Sequence, residues 1–131
     1  MDGVNSAIYS RLSGGTALVS MLGGTAIYHE AAPDGAALPY VVYSQVSGVI
    51  NNDSANMVRY PSYFVRGYST SNITAHQIDA ACEALLHHAT LTVSGWTNIH
   101  TLKDEDISNT EILGNNSRVY MAGGYYTIQL A

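Results

Sequence analysis

Charge is what this sequence has least of. Asp, Glu, Lys and Arg make up 11 % of its 131 residues, against roughly 25 % in an ordinary soluble domain. A surface so short of charge must be built mainly from neutral polar and half-apolar side chains. Basic residues are the scarcest: Arg11, Arg59, Arg66, Lys103 and Arg118 stand scattered against ten acidic residues, for a net charge of −5. Tight binding to phosphate backbones scales with the number of Lys and Arg contacts, so a dedicated nucleic-acid binder is disfavoured. The single cysteine, Cys82, excludes an internal disulfide framework and a four-cysteine zinc site, as a reducing compartment would also give. No run approaches the ~20 apolar residues of a membrane span, and Met1 to Asn5 lacks the charge and apolar run of a signal peptide. The expectation is no membrane partner, and a protein kept in the cytoplasm unless it leaves as part of a particle.

Catalytic signatures are missing as well. There is no Gly-x-Ser-x-Gly, and the pairs Gly14-Gly15, Gly23-Gly24 and Gly123-Gly124 lack the flanking pattern of a phosphate loop. They read as helix ends and, for the last pair, a strand bulge. Among the histidines, His76 and His87 are about three helical turns, or ~16 Å, apart, and His87 and His88 point about 100° from one another, so neither pair makes a chelate. The latter two suit a helix C-terminus, where partial positive charge is favourable, or simple exposure. Asp104-Glu105-Asp106 is the one acidic cluster. It lacks the alternating oxygen ligands and the glycine of a calcium loop and reads as a solvated turn. Cys82 sits within an apolar helical stripe and reads as a core residue. No catalytic, metal or cofactor site follows, and a structural or binding protein is favoured over an enzyme.

What the chain does have is a hydrophobic fraction of 47 %, ten tyrosines and twelve glycines. The length suits a single domain over residues 1–131 with a core large enough to need no staples. Tyrosine offers apolar area with a polar tip, which suits surfaces wet in the monomer and buried in a partner, so the composition is that of an oligomer.

Asp2 can cap a short helix ending at Ser13, and Thr16 to Leu22 forms a second, closed by Gly23-Gly24. A strand over Thr25 to His29 and a turn-rich connection follow. Pro39 to Ser47 and Met57 to Ser69 read as the arms of a long antiparallel hairpin. In its second arm Val58, Tyr60, Phe64 and Tyr68 share one face and Arg59, Tyr63 and Val65 the other, while Pro61 suggests an edge strand or a bulge. Ala75 to Ala89, with Thr74 and Gln77 at capping-box spacing, carries an apolar stripe of Ile78, Ala81, Cys82, Leu85, Leu86 and Ala89. Strands over Thr90 to Val93, Thr97 to Lys103 and Arg118 to Leu130 complete the chain, with a loop from Asp104 to Ser117 before the last. The fold class is α+β: an antiparallel-dominated sheet with a long hairpin and helices packed on one side.

This order of segments resembles the tail terminator, or tail completion, family of long-tailed bacteriophages. The resemblance runs from the paired N-terminal helices through "TAIYHEAAPDGAALPYVVYSQVSG", the strand "YFVRGYSTS", the helix "AHQIDAACEALLHH" and the terminal strand "RVYMAGGYYTIQL". Arg66-Gly67 departs from relatives, which often carry an acidic or apolar residue followed by an aromatic one. The resemblance implies a subunit of a hexameric ring that caps the finished tail tube, ends its polymerisation and receives the head connector, with no cofactor. Its partners would be its own copies, the tail tube protein and a head-completion or connector protein. DNA would pass through the bore without specific binding, and the location would be the head-proximal end of the virion tail after assembly in the host cytoplasm. Another ring-forming neck or tail-tube protein and a small-ligand-binding α+β domain remain the alternatives.

Two segments are candidate assembly sites. The hairpin residues Gly48, Val49, Ile50, Asn51, Asn52, Asp53, Ser54, Ala55 and Asn56 are expected to contact neighbouring subunits or face the lumen. The acidic turn Asp104, Glu105 and Asp106, with Asp53, is expected to line a bore of acidic and neutral residues from which Arg59, Arg66 and Arg118 are absent.

Overall fold

The computed structural model describes residues 2–51, 58–112 and 117–131. Three helices, α1 (Asp2–Ser13), α2 (Thr16–Leu22) and α3 (Asn72–Leu86), accompany six strands: β1 (Ile27–His29), β2 (Tyr40–Asn51), β3 (Val58–Ser69), β4 (Thr92–Val93), β5 (Trp96–Ile112) and β6 (Arg118–Leu130). The strands form one sheet in the order β1-β2-β3-β6-β5-β4. β1 runs parallel to β2 and every other neighbouring pair is antiparallel, so the α+β class holds.

The helices cover one face. Val4, Ile8 and Leu12 of α1, Leu18 of α2 and Ile78, Cys82 and Leu86 of α3 meet Val41, Tyr43, Tyr63, Val65, Tyr126, Ile128 and Leu130 in one core. Alternation sends every second residue of each strand to that face, which is why Tyr63 and Val65 are buried between the half-exposed Phe64 and Arg66. Tyr63 Oη donates to Asn5 Oδ1 at 2.5 Å and ties α1 to the sheet. Arg11 Nε donates to the Leu85 carbonyl at 2.7 Å, so the cation at the C-terminal end of α3 is an arginine from another helix.

Several elements differ from the sequence expectation. α1 begins at Asp2 rather than after it. α3 starts earlier than Ala75, with Ser71 as its cap accepting from the Thr74 N–H, and ends at Leu86, leaving Ala89 buried just beyond it. Pro61 lies in an interior strand, because β6 covers the far side of β3. The β3–β6 pairing skips from Arg59 to Ser62 around it, and the opposing strand β2 is bulged between Gln45 and Ser47. Gly123-Gly124 is not a bulge. Its strand stays in register with β3, and a Cβ at Gly123 would collide with the Val65 carbonyl, one at Gly124 with the Glu105 carbonyl. These glycines let three strands approach closely. Gly67 serves α3 in the same way, since a Cβ there would sit 2.5 Å from Ile78 Cγ2.

Candidate functional site

The expected contact hairpin exists but is longer in its arms. Gly48 to Asn51 are strand residues of β2, paired with Val58 to Pro61, while Asn52, Asp53, Ser54, Ala55 and Asn56 lie outside the described residues. Val46, Val49 and Ile50 are 50 %, 62 % and 46 % exposed. These three side chains leave an apolar stretch of β2 open to solvent.

Asp104-Glu105-Asp106 is not a turn. β5 continues to Ile112, paired along β6 as far as Arg118, because the β6 ladder carries it through its polar Ser-Asn-Thr run. A bulge between Lys103 and Glu105 then divides the three carboxylates. Asp104 accepts a hydrogen bond from the Thr127 hydroxyl, and Glu105 stands opposite Tyr125, both on the face away from the helices. Asp106 turns to the helix side, where its carboxylate is 2.5 Å from Lys103 Nζ.

Lys103 is the most elaborately held charge. Its side chain is 6 % exposed, and its ammonium lies 3.1 Å from both Asp79 and Glu83 on α3 as well as against Asp106. Burial pulls the lysine pKa down, but the three carboxylates outweigh it and leave it above the ordinary lysine range. Asp79 is raised by its own burial, against which the Lys103 hydrogen bond works. Asp106, fully exposed, is lowered by Lys103. This clamp fixes α3 to β5 and has no reactive group at its centre. Sequence reading missed it, although Asp79 and Glu83 at helical i,i+4 spacing beside a lone lysine were a usable signal.

His87 caps the C-terminus of α3, the placement its position suggested, and both histidines also reach β5. His87 Nδ1 accepts the Lys103 backbone N–H at 3.0 Å, and the His88 N–H donates to the Thr101 carbonyl at 2.7 Å. Together they occupy the outer edge of β5 from Thr101 to Lys103. Cys82 is buried as expected, its thiol pushed up to about 12 by burial, which keeps it protonated and inert. Among the described residues, no group of three His, Cys, Asp or Glu could hold a metal ion.

The face away from the helices carries an aromatic row. Tyr28 meets Tyr40 at 5.9 Å between ring centroids, Tyr40 meets Tyr68 at 5.3 Å, and Phe64 meets Tyr125 at 5.0 Å. Arg66 lies over Phe64 and donates to the Tyr68 and Ser44 hydroxyls, each at 3.1 Å. The Arg66-Gly67 departure therefore has two separate reasons, one on each face. Arg59 lies over the Trp96 ring instead, and Arg118 is exposed at the start of β6.

The family model described as tail completion protein gp17 matches residues 6–125. The chain belongs to the tail completion protein gp17 family. It is thus a structural protein of phage tails and a virion component. A chain from a structure titled as the virion of a native gene transfer agent particle superposes with a TM-score of 0.79 at 16 % identity, covering 96 % of this chain and 93 % of that one. A second solved chain superposes with a TM-score of 0.61 at 14 % identity, covering 97 % and 94 %. At these identities the two likenesses establish the fold of this tail completion protein. No curated protein sequence matches it.

Proposed function

We propose that this chain is a tail terminator: copies of it, six to a ring, cap the finished tail tube, block further addition of tube subunits and present their opposite face to the head connector. The observation that carries the reading is the tail completion match over residues 6–125. Its mechanism is competition for a polymerisation surface. One ring face complements the growing tube end, while the other is shaped so that tube subunits do not add to it. Its partners are its own copies, the tube protein and a head-completion or connector protein, at the head-proximal end of the tail.

The face away from the helices suits the bore. Asp104, Glu105 and Glu111 lie on that side of β5, against Arg66 as the charge of opposite sign, among tyrosines, Ser44 and Thr127. Arg66, expected from composition to stay out of the bore, is on this face, with its guanidinium occupied by Phe64, Tyr68 and Ser44. Repeated around an axis, an acidic and neutral lining lets DNA slide without adhering. Asp106 belongs to the helix side and leaves this lining.

Particles assembled without the protein test the role. The expected micrographs contain filled heads that are not joined to tails, together with tails of irregular and often excessive length. Tails of normal length joined to heads would overturn the proposal. Loss of tails altogether would move the chain to the tube itself.

A further inference from the structure

The sheet ends in two unlike edges, and their uncovered stretches lie at opposite ends of the strands. On one side β1 pairs only with Val41 to Tyr43 of β2. Beyond the Gln45/Ser47 bulge, among the described residues no strand pairs with the outer side of Ser47 to Asn51. On the other side β4 pairs with Trp96 and Thr97, and His87 and His88 occupy the edge at Thr101 to Lys103. Past the second bulge, among the described residues Glu105 to Ile112 pairs with β6 alone.

Natural sheets blunt their edges with bulges, charges, prolines or covering segments. This chain does so on the inner part of each edge, and beyond it the only charges are the carboxylates Glu105, Asp106 and Glu111, which flank the middle of the β5 stretch. Ser47 to Asn51 is Ser-Gly-Val-Ile-Asn, and Ile107 to Thr110 is Ile-Ser-Asn-Thr, both uncharged and without proline. Val49 and Ile50 on the first stretch, and Ile112 just beyond the second, are among the exposed large apolar residues described.

The direction of the amide groups follows from the ladder. The Val41 N–H donates outward to the Ala26 carbonyl and the Tyr43 carbonyl accepts outward from Glu30. Carrying the alternation past the bulge turns the backbone groups of Gly48 and Ile50 outward. On β5 the outward Thr101 carbonyl and Lys103 N–H fix the phase, which after its bulge turns Asp106, Ser108, Thr110 and Ile112 outward.

We infer that the β2 edge at Ser47 to Asn51 of one copy pairs with the β5 edge at Glu105 to Ile112 of the next, so that the ring is closed by a continuous β-sheet. This rests on the ring reading above and adds how the ring is joined. A second copy is the fitting occupant for two reasons. β2, β3, β6 and β5 alternate in direction, so a sideways repeat of the sheet sets β5 of one copy antiparallel to β2 of the next. The two edges also differ, which makes the contact head-to-tail and leaves each copy one of each to offer.

The stagger sets the strand tilt that closure would require. Ile50 stands level with Asn98 through Arg59 and Leu130, so reaching Glu105 to Ile112 shifts each copy by roughly six to eight residues, about 20–27 Å, along the strands. Over four strands, about 19 Å wide, that is a tilt of roughly 45–55°, at or just beyond the steep end of closed barrels.

Cysteine pairing tests the junction in the full chain, where Cys82 is buried and does not compete. Ile50→Cys chains are mixed with Asp106→Cys or Ser108→Cys chains, the two positions six and eight residues along from Ile50, and oxidised within assembled rings. Cross-links in a mixture, and none in either variant alone, are the expected result. Links within Ile50→Cys alone, or rings with no link in any mixture, would overturn the junction while leaving the ring intact. A wild-type chain that forms no ring in particles would instead defeat the terminator reading. Ile50→Pro removes an outward N–H that its own ladder does not use, and is expected to keep the monomer folded and to lower ring formation at least tenfold, whereas Ile50→Ala keeps it. A folded Ile50→Pro chain that assembles like the parent would overturn the junction.

Discussion

Along β3, neighbouring residues live under opposite conditions. Tyr63 and Val65 are at most 1 % exposed beneath the helices, whereas Phe64, Arg66 and Tyr68 between and beyond them line a face that, among the described residues, no helix covers. Both sets are rich in aromatic and β-branched groups. The difference lies in what they touch: the first packs against α1 and α3, the second against its own cross-strand neighbours. One face thus holds the subunit together, and the other, among the described residues, lies open. Composition alone does not separate these roles, because both use the same residue types.

Substitutions should split along that division. The largest effect is expected at Gly124→Val, where the new side chain meets the Glu105 backbone carbonyl and Lys103. Neither strand can retreat without losing its ladder, so a loss of about 3 kcal/mol or more in denaturant unfolding is expected. Ile78→Ala on the helix side removes a fully buried side chain that fills the hollow left by Gly67. About 3 kcal/mol is expected.

Cys82→Ala sharpens the comparison with a pH signature. It should cost about 1 kcal/mol near neutrality, as a small core truncation does, while assembly survives. Burial raises the thiol from 9.0 to about 12. In that window the native state keeps a proton the unfolded chain has released, so stability falls as pH rises from about 9. The alanine variant should lose less stability over that range than the parent in urea titrations.

On the open side, Phe64→Ser should lower monomer stability by about 1 kcal/mol, since it forfeits a cross-strand aromatic pair rather than core packing. Val49→Ser should change monomer stability by less than about 0.5 kcal/mol, because the side chain is 62 % exposed. Its effect is expected in ring formation, read by sedimentation. A Val49→Ser monomer as unstable as Ile78→Ala would break the division between the two regions.

Much of the fold was legible in the sequence because periodicity reports burial. α2, the hairpin, the stripe of α3 and the alternation of Tyr126, Ile128 and Leu130 all follow from it. What periodicity hides is the neighbour. Pro61 sits in a central strand because the β3–β6 ladder skips past it, and no local signal reveals the strand beyond. β5 runs to Ile112 because β6 pairs with it, although its polar composition resembles a loop. The paired arms of the hairpin are legible from their β-forming residues, whereas the second edge is hidden when Asp104 to Asp106 is read as one turn. The bulge that separates those three carboxylates is a property of the pairing, not of the residues themselves.

The central claim is tested most directly by locating the chain in an intact particle by electron cryomicroscopy. The account predicts one ring of six copies between the last tube ring and the head connector, with α3 outward and Phe64, Arg66 and Tyr125 toward the bore. Copies repeated along the tube, or a single unringed copy, would contradict it.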